Sequence, residues 1–155
     1  MITLDCRVDE AEVLESWSYY PEATDDGGTL EQTGFYAYVS LFVDGRNIFS
    51  MGNHQTANVP LLGFVRFTRE KLGRIQTGED TTVHMGCSGS MLLQRRGRQL
   101  RLSTTFNEHS AEVYHEAVIA AINAFSEEVR RLIEERVPQM KQHPNWTVWF
   151  PGQRF

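Results

Sequence analysis

FYAYVSLFVDGRNIFSM, residues 35–51, is the stretch on which the fold turns. Phe35, Ala37, Val39, Leu41 and Val43 share one face of a period-2 pattern; Tyr36, Tyr38, Ser40 and Phe42 share the other. Apolar side chains on both faces predict a central strand covered on both sides, at least in part. Asp44-Gly45 supplies the positive φ of a tight hairpin turn, so Arg46 to Met51 is expected to return as the antiparallel partner.

On the amino side, Ile2, Leu4, Cys6 and Val8 alternate with Thr3, Asp5 and Arg7, the pattern of a half-buried strand. Alternation resumes from Glu12 to Tyr20 and stops at Pro21. Residues 21–33 (PEATDDGGTLEQT) carry the chemistry of a mobile, acidic surface loop. On the carboxyl side a polar loop, Gly52 to Asn58, leads to Val59-Pro60, with proline suited to the first position of a helix. Leu61, Val65, Leu72 and Ile75 then recur at helical spacing, and Gly78 is the expected stop. Gly63 and Gly73 weaken that helix, each by roughly 1 kcal/mol relative to Ala.

Thr81 to Met85, Ser90 to Arg95 and Gln99 to Phe106 read as three short strands, joined by Gly-Cys-Ser-Gly and Arg-Gly-Arg. The clearest helix follows, with Ser110 as expected N-cap, Glu112 in the first turn and Pro138 at the end. Tyr114, Val118, Ala121, Phe125, Val129 and Leu132 form its apolar stripe. Residues 139–155 hold Trp146 and Trp149 in an aromatic tail without helical period. The expectation is therefore a single α+β domain over 1–155. It has a largely antiparallel sheet of five to seven strands and two helices, the longer one near the C-terminus.

Charge is distributed unevenly. Residues 1–31 have nine acids and one base, residues 32–106 four acids and nine bases, and residues 107–155 seven acids and five bases. A net charge of −5 thus hides a polarised molecule. The acidic end attracts a basic partner and repels nucleic acid, and a pI of about 5.5 argues further against nucleic-acid binding. No apolar run approaches the roughly 20 residues needed to span a bilayer. Met1 to Glu10 has neither a basic leader nor a hydrophobic block, so a cytoplasmic location is expected, with Cys6 and Cys87 reduced.

Tests for chemistry return little. His54, His84, His109, His115 and His143 lie in separate elements. His84-x-x-Cys87 is half of a zinc spacing, and Glu112-x-x-His115 is one of the two steps a di-iron bundle needs, so no metal is expected. No nucleophile elbow or phosphate-binding glycine loop occurs, and neither catalysis nor a cofactor is expected. Arg95, Arg96, Arg98 and Arg101 cluster across a hairpin tip, where a solvated turn is the commoner explanation than an anion grip. A rival reading assembles a small-molecule or enzyme site in space from Tyr36, Tyr38, His84, Arg101 and Glu112.

YVSLFVDGRNIF (38–49), NVPLLGFVRF (58–67) and MLLQRRGRQLRLS (91–103) set out strand, Asp-Gly hairpin, proline-started helix and strand meander. That order resembles small bacterial α+β proteins of the toxin-immunity type over roughly the middle half of the chain. The resemblance implies an inhibitor that binds a toxin domain and has no catalysis of its own. Acidic charge suits a basic toxin, and Asp25, Asp26 and Glu31, with Trp146 or Trp149 as anchors, are the candidate partner-binding residues.

Overall fold

The computed structural model describes residues 2–7, 31, 35–50, 57–86 and 89–152. Its elements run β1 (Ile2–Arg7), β2 (Tyr36–Val43), β3 (Arg46–Asn47), β4 (Ala57–Pro60), α1 (Leu61–Gln76), β5 (Thr81–His84), β6 (Ser90–Arg96), β7 (Gln99–Thr104) and β8 (Ser110–Tyr114). After these come α2 (His115–Arg136), a 3-10 helix (Pro138–Gln142) and a helical turn, α3 (Trp146–Trp149). The class is α+β, as the sequence implies. The expected strand at 12–20 lies outside the described residues, as does the loop 21–33 apart from Glu31.

Among the described residues, the strands form two antiparallel sheets in place of the anticipated single sheet of five to seven strands. In the first, β1 lies along one side of β2, and β3 and β4 pair with different parts of its other side. The second is the meander β5-β6-β7-β8. The division goes with a pairing between residues distant in sequence. Ala57 and Asn58, expected in a loop, pair with Val39 and Tyr38 and fill the open side of β2. The chain then enters α1 directly from Pro60, and the strands that follow it pair with one another as the second sheet.

β2 is central, as its pattern requires. Ala37, Val39, Leu41 and Val43 are buried, whereas Tyr38 on the other face is 37% exposed. Asp44 and Gly45 take φ of 50° and 81°, the pair of positive values that a two-residue hairpin turn demands. The return strand is shorter than expected, stopping at Asn47. Beyond it the side-chain amide of Asn107 donates to the carbonyls of Ile48 (2.8 Å) and Ser50 (2.7 Å). The chain there is thus held by the turn that precedes β8.

α1 begins one residue after Pro60 and ends as anticipated near Gly78, whose φ of 90° and N–H bond to the Ile75 carbonyl (3.0 Å) close the last turn. α2 starts later than its cap chemistry suggests. Ser110 to Tyr114 form β8, in which Ala111 and Val113 pair with Leu102 and Leu100 of β7. Burying Val113 and half-burying Ala111 outweighs the cap that Ser110 offers, and Glu116 replaces Glu112 in the first turn. Val118, Ala121, Ile122, Phe125, Val129 and Ile133 then form the buried stripe.

Both helices pack into one hydrophobic cluster that takes in the inner residues of both sheets. Phe64 of α1 stands edge-to-face with Phe49 (6.3 Å between ring centres) and with Phe125 of α2 (5.7 Å). That T-shaped chain ties the hairpin strand to the two helices, and such pairs contribute about 0.5–1.5 kcal/mol beyond burial. The aromatic tail is packed too. Trp149 is fully buried, and Trp146 and Phe150 retain less than a tenth of their exposure.

Candidate functional site

The second sheet has two unlike faces, and the period of its strands sets both. Val83, Met91, Leu93, Leu100, Leu102, Thr104 and Val113 point inward and are buried. The alternate residues form the outer face. Gln94, Arg101 and Glu112 make one cross-strand row, and Arg96, Gln99 and Tyr114 the next. Arg96, Arg101 and Glu112 are exposed, and Tyr114 is 59% exposed, the most of any large apolar side chain among the described residues. Thr82, Leu92, Ser103 and Ser110 form a third, half-buried row. The result is a polar surface four strands wide, with the core behind it; toward β8 it borders open grooves that Gln99, Glu112 and Tyr114 share with Val43 and Asp44 at the β2–β3 turn.

Arg95 is one residue out of step with this face and does different work. Its Nη1 donates to the Ile75 carbonyl (2.8 Å), a second bond on the oxygen that already accepts from the Gly78 N–H at the end of α1, while Asp80 Oδ1 accepts from the Arg95 backbone N–H (2.8 Å). The four-arginine cluster seen in sequence therefore splits into one structural guanidinium and three exposed ones, Arg96, Arg98 and Arg101.

The five residues of the rival site do not converge. Arg101 and Glu112 are cross-strand partners. His84 lies on β5, two strands and four residues away, about 16 Å by strand spacing. Its Nδ1 is 3.2 Å from Ser90 Oγ on an exposed strand pair. Tyr36 and Tyr38 belong to the other sheet, with the Tyr36 hydroxyl next to Gly86. Among the described residues, no group of three or more His, Cys, Asp or Glu is placed to hold a metal ion.

The cavities agree with a surface rather than a chamber. A void of about 10 Å³ sits in the core, lined only by apolar side chains such as Leu41, Met91, Leu102, Val118 and Ala121. An open groove of about 440 Å³ runs between the β2–β3 turn and β8, where Arg46 Nη1 donates to the Ser110 carbonyl (3.2 Å).

The proposed partner-binding residues are placed otherwise than their sequence setting suggests. Glu31 is only 5% exposed, and its Oε1 accepts from Trp149 Nε1 (2.7 Å) and from Arg66 Nη1 (2.5 Å). Arg66 also reaches Glu70 (3.1 Å), and these two carboxylates hold its pKa above the ordinary value. One turn on, Arg69 donates to the carbonyls of Trp149 (2.7 Å) and Val148 (2.5 Å), while burial lowers its pKa. The His143 ring packs on Trp149 with centres 4.9 Å apart.

Glu31, Trp146 and Trp149 are thus largely buried. Of the two tryptophans expected as anchors, Trp149 packs inside, with Glu31 accepting from its indole N–H. Asp25 and Asp26 lie outside the described residues.

Gly63 belongs to the same assembly. A methyl group there would run into the Glu31 backbone carbonyl, so the glycine lets α1 approach the segment that carries Glu31. Sequence reasoning missed Tyr114 by assigning it to the stripe of α2. The signal lay in Ala111 and Val113, which alternate with Glu112 and Tyr114 as a strand requires. Comparison with protein-family models, curated proteins and solved structures found no match to this chain.

Proposed function

We propose that this chain is a protein-binding domain without catalysis of its own. In its specific form it is a cytoplasmic bacterial immunity protein that inhibits a cognate basic toxin by occluding its active site. The outer face of β5–β8 carries the general reading, since an extended polar sheet surface with Arg101, Glu112 and Tyr114 exposed on neighbouring strands suits a macromolecule. Small ligands are held instead in concave sites that bury most of their surface. Tyr and Arg are also the side chains over-represented where binding energy concentrates.

The specific form draws on the sequence. Eight carboxylates and no base between residues 9 and 31 steer a basic partner. With Glu31 engaged internally, Asp25 and Asp26 are the residues assigned to steering. The test pairs the chain with the toxin domain encoded beside its gene and follows association by stopped flow. Asp25→Asn with Asp26→Asn is expected to slow association about threefold or more at low salt and to flatten its salt dependence, leaving dissociation unchanged. Absence of binding, together with turnover of a small substrate by the chain itself, would refute the inhibitor reading.

A further inference from the structure

The hairpin end of the second sheet is unlike the rest of its outer face. Arg96 and Arg98 flank Gly97, which turns the chain with φ of 64°, and both are exposed. Arg101 stands in the adjoining row, also exposed. Gln99 and Tyr114 are direct cross-strand partners, and Tyr114 is diagonal to Arg101, within about 7–8 Å by sheet geometry. Three exposed guanidiniums therefore gather at this end of the sheet with one exposed aromatic ring on the neighbouring strand. Glu112 is the carboxylate of the two rows, and Asp44 shares the adjoining groove with Gln99, Glu112 and Tyr114. Arg95 takes no part, being bound to the end of α1.

We infer that this corner is a docking surface for an acidic segment of a protein partner. Carboxylates of that segment accept from Arg96, Arg98 and Arg101, where the planar guanidinium fork matches a carboxylate in paired hydrogen bonds. An apolar side chain of the segment rests on Tyr114. Three arginines against Glu112 and the neighbouring Asp44 leave the patch net positive, which disfavours a basic occupant. Nucleic acid is disfavoured because the chain as a whole carries −5 and its first 31 residues are strongly acidic, a field that opposes a polyphosphate at long range. The surface is small, two rows across three strands plus a turn, so binding is weak and sensitive to salt. The inference rests on reading the chain as a binding domain, but it concerns a surface of opposite charge to the acidic segment and needs no toxin.

The test uses the full chain, isotope-labelled for NMR, at about 50 and 200 mM salt. It is titrated separately with a Glu/Asp-rich peptide of about ten residues containing one Leu, a Lys-rich peptide of equal length, and single-stranded oligothymidylate. The expected result is selective binding of the acidic peptide, with amide shifts centred on Arg96–Gln99 and Tyr114, weakening severalfold at the higher salt. R96E with R98E and R101E should weaken it about tenfold or more, and Tyr114→Ser about threefold. All four side chains are exposed, so the thermal melts of these variants should match the parent and show that folding is intact. Failure of the acidic peptide to bind, shifts centred elsewhere, indifference to the triple substitution, or tighter binding of oligothymidylate would each overturn the inference. Failure of the toxin experiment would leave it standing, because neither peptide nor footprint involves the toxin.

Discussion

Replacing Trp149 with Phe keeps an aromatic ring in the core but removes the one N–H that the indole donates to Glu31. The hydrogen bond ends on a carboxylate, a class worth about 1.5–3 kcal/mol net. The smaller ring also leaves roughly 40 Å³ unfilled, adding about 1 kcal/mol at the usual cost of cavity volume. The sum, about 2.5–4 kcal/mol, corresponds to a fall in Tm of about 5–16 °C for a chain of this size. Because Arg66 still neutralises Glu31, the carboxylate is not left as an isolated buried charge, and the loss stays within that range.

Urea and thermal unfolding of the single variants Trp149→Phe and Glu31→Gln, and of the double variant, form a cycle that isolates the pair. A coupling of about 1.5 kcal/mol or more is expected. A Trp149→Phe melt within a degree or two of the parent, or losses that add to within about 0.5 kcal/mol, would refute the packing and the hydrogen bond together.

Ala121→Asp puts a carboxylate on the buried stripe of α2 beside the apolar void, and should cost several kcal/mol, roughly 3 or more, read as loss of the cooperative melt. Gly63→Ala and Gly73→Ala should differ in sign. The first forces the Glu31 carbonyl away and lowers Tm, whereas a methyl group at Gly73 meets nothing within 4 Å and adds up to about 1 kcal/mol through helix propensity, both read by urea denaturation.

What could be read without coordinates was whatever local chemistry decides. Period-2 alternation placed β2, the positive φ required at Asp44-Gly45 placed its turn, and apolar spacing placed the bodies of α1 and α2. The division into two sheets was not legible, because it depends on Ala57 and Asn58 pairing with residues some twenty positions earlier, and nothing local distinguishes them from a polar loop. Ser110 and Glu112 imitate the start of a helix, and only the partners in β7 decide for a strand. Glu31 looked like one more charge in an acidic run, since no pattern announces a tryptophan 118 positions away. The arginine cluster was visible as composition, but its division into an inward Arg95 and an outward trio needed the register of β6.

The tie between Glu31 and Trp149 also bears on the order of events in folding. Closing a loop of 118 residues costs on the order of 4 kcal/mol of chain entropy before the contact returns anything. The hairpins β5–β6 and β6–β7 close over a few residues each and face no such penalty. The carboxy-terminal helical turn is therefore expected to dock late, after α1 has presented Arg66 and Arg69, an order that φ-values at Trp149 and Arg69 near zero would bear out. Contacts absent from the transition state act on the rate of escape from the native state, not on the rate of reaching it. Those two arginines, holding segments from either side of the sequence, are expected to act as a latch on unfolding, so that their removal speeds unfolding and leaves the folding rate nearly unchanged.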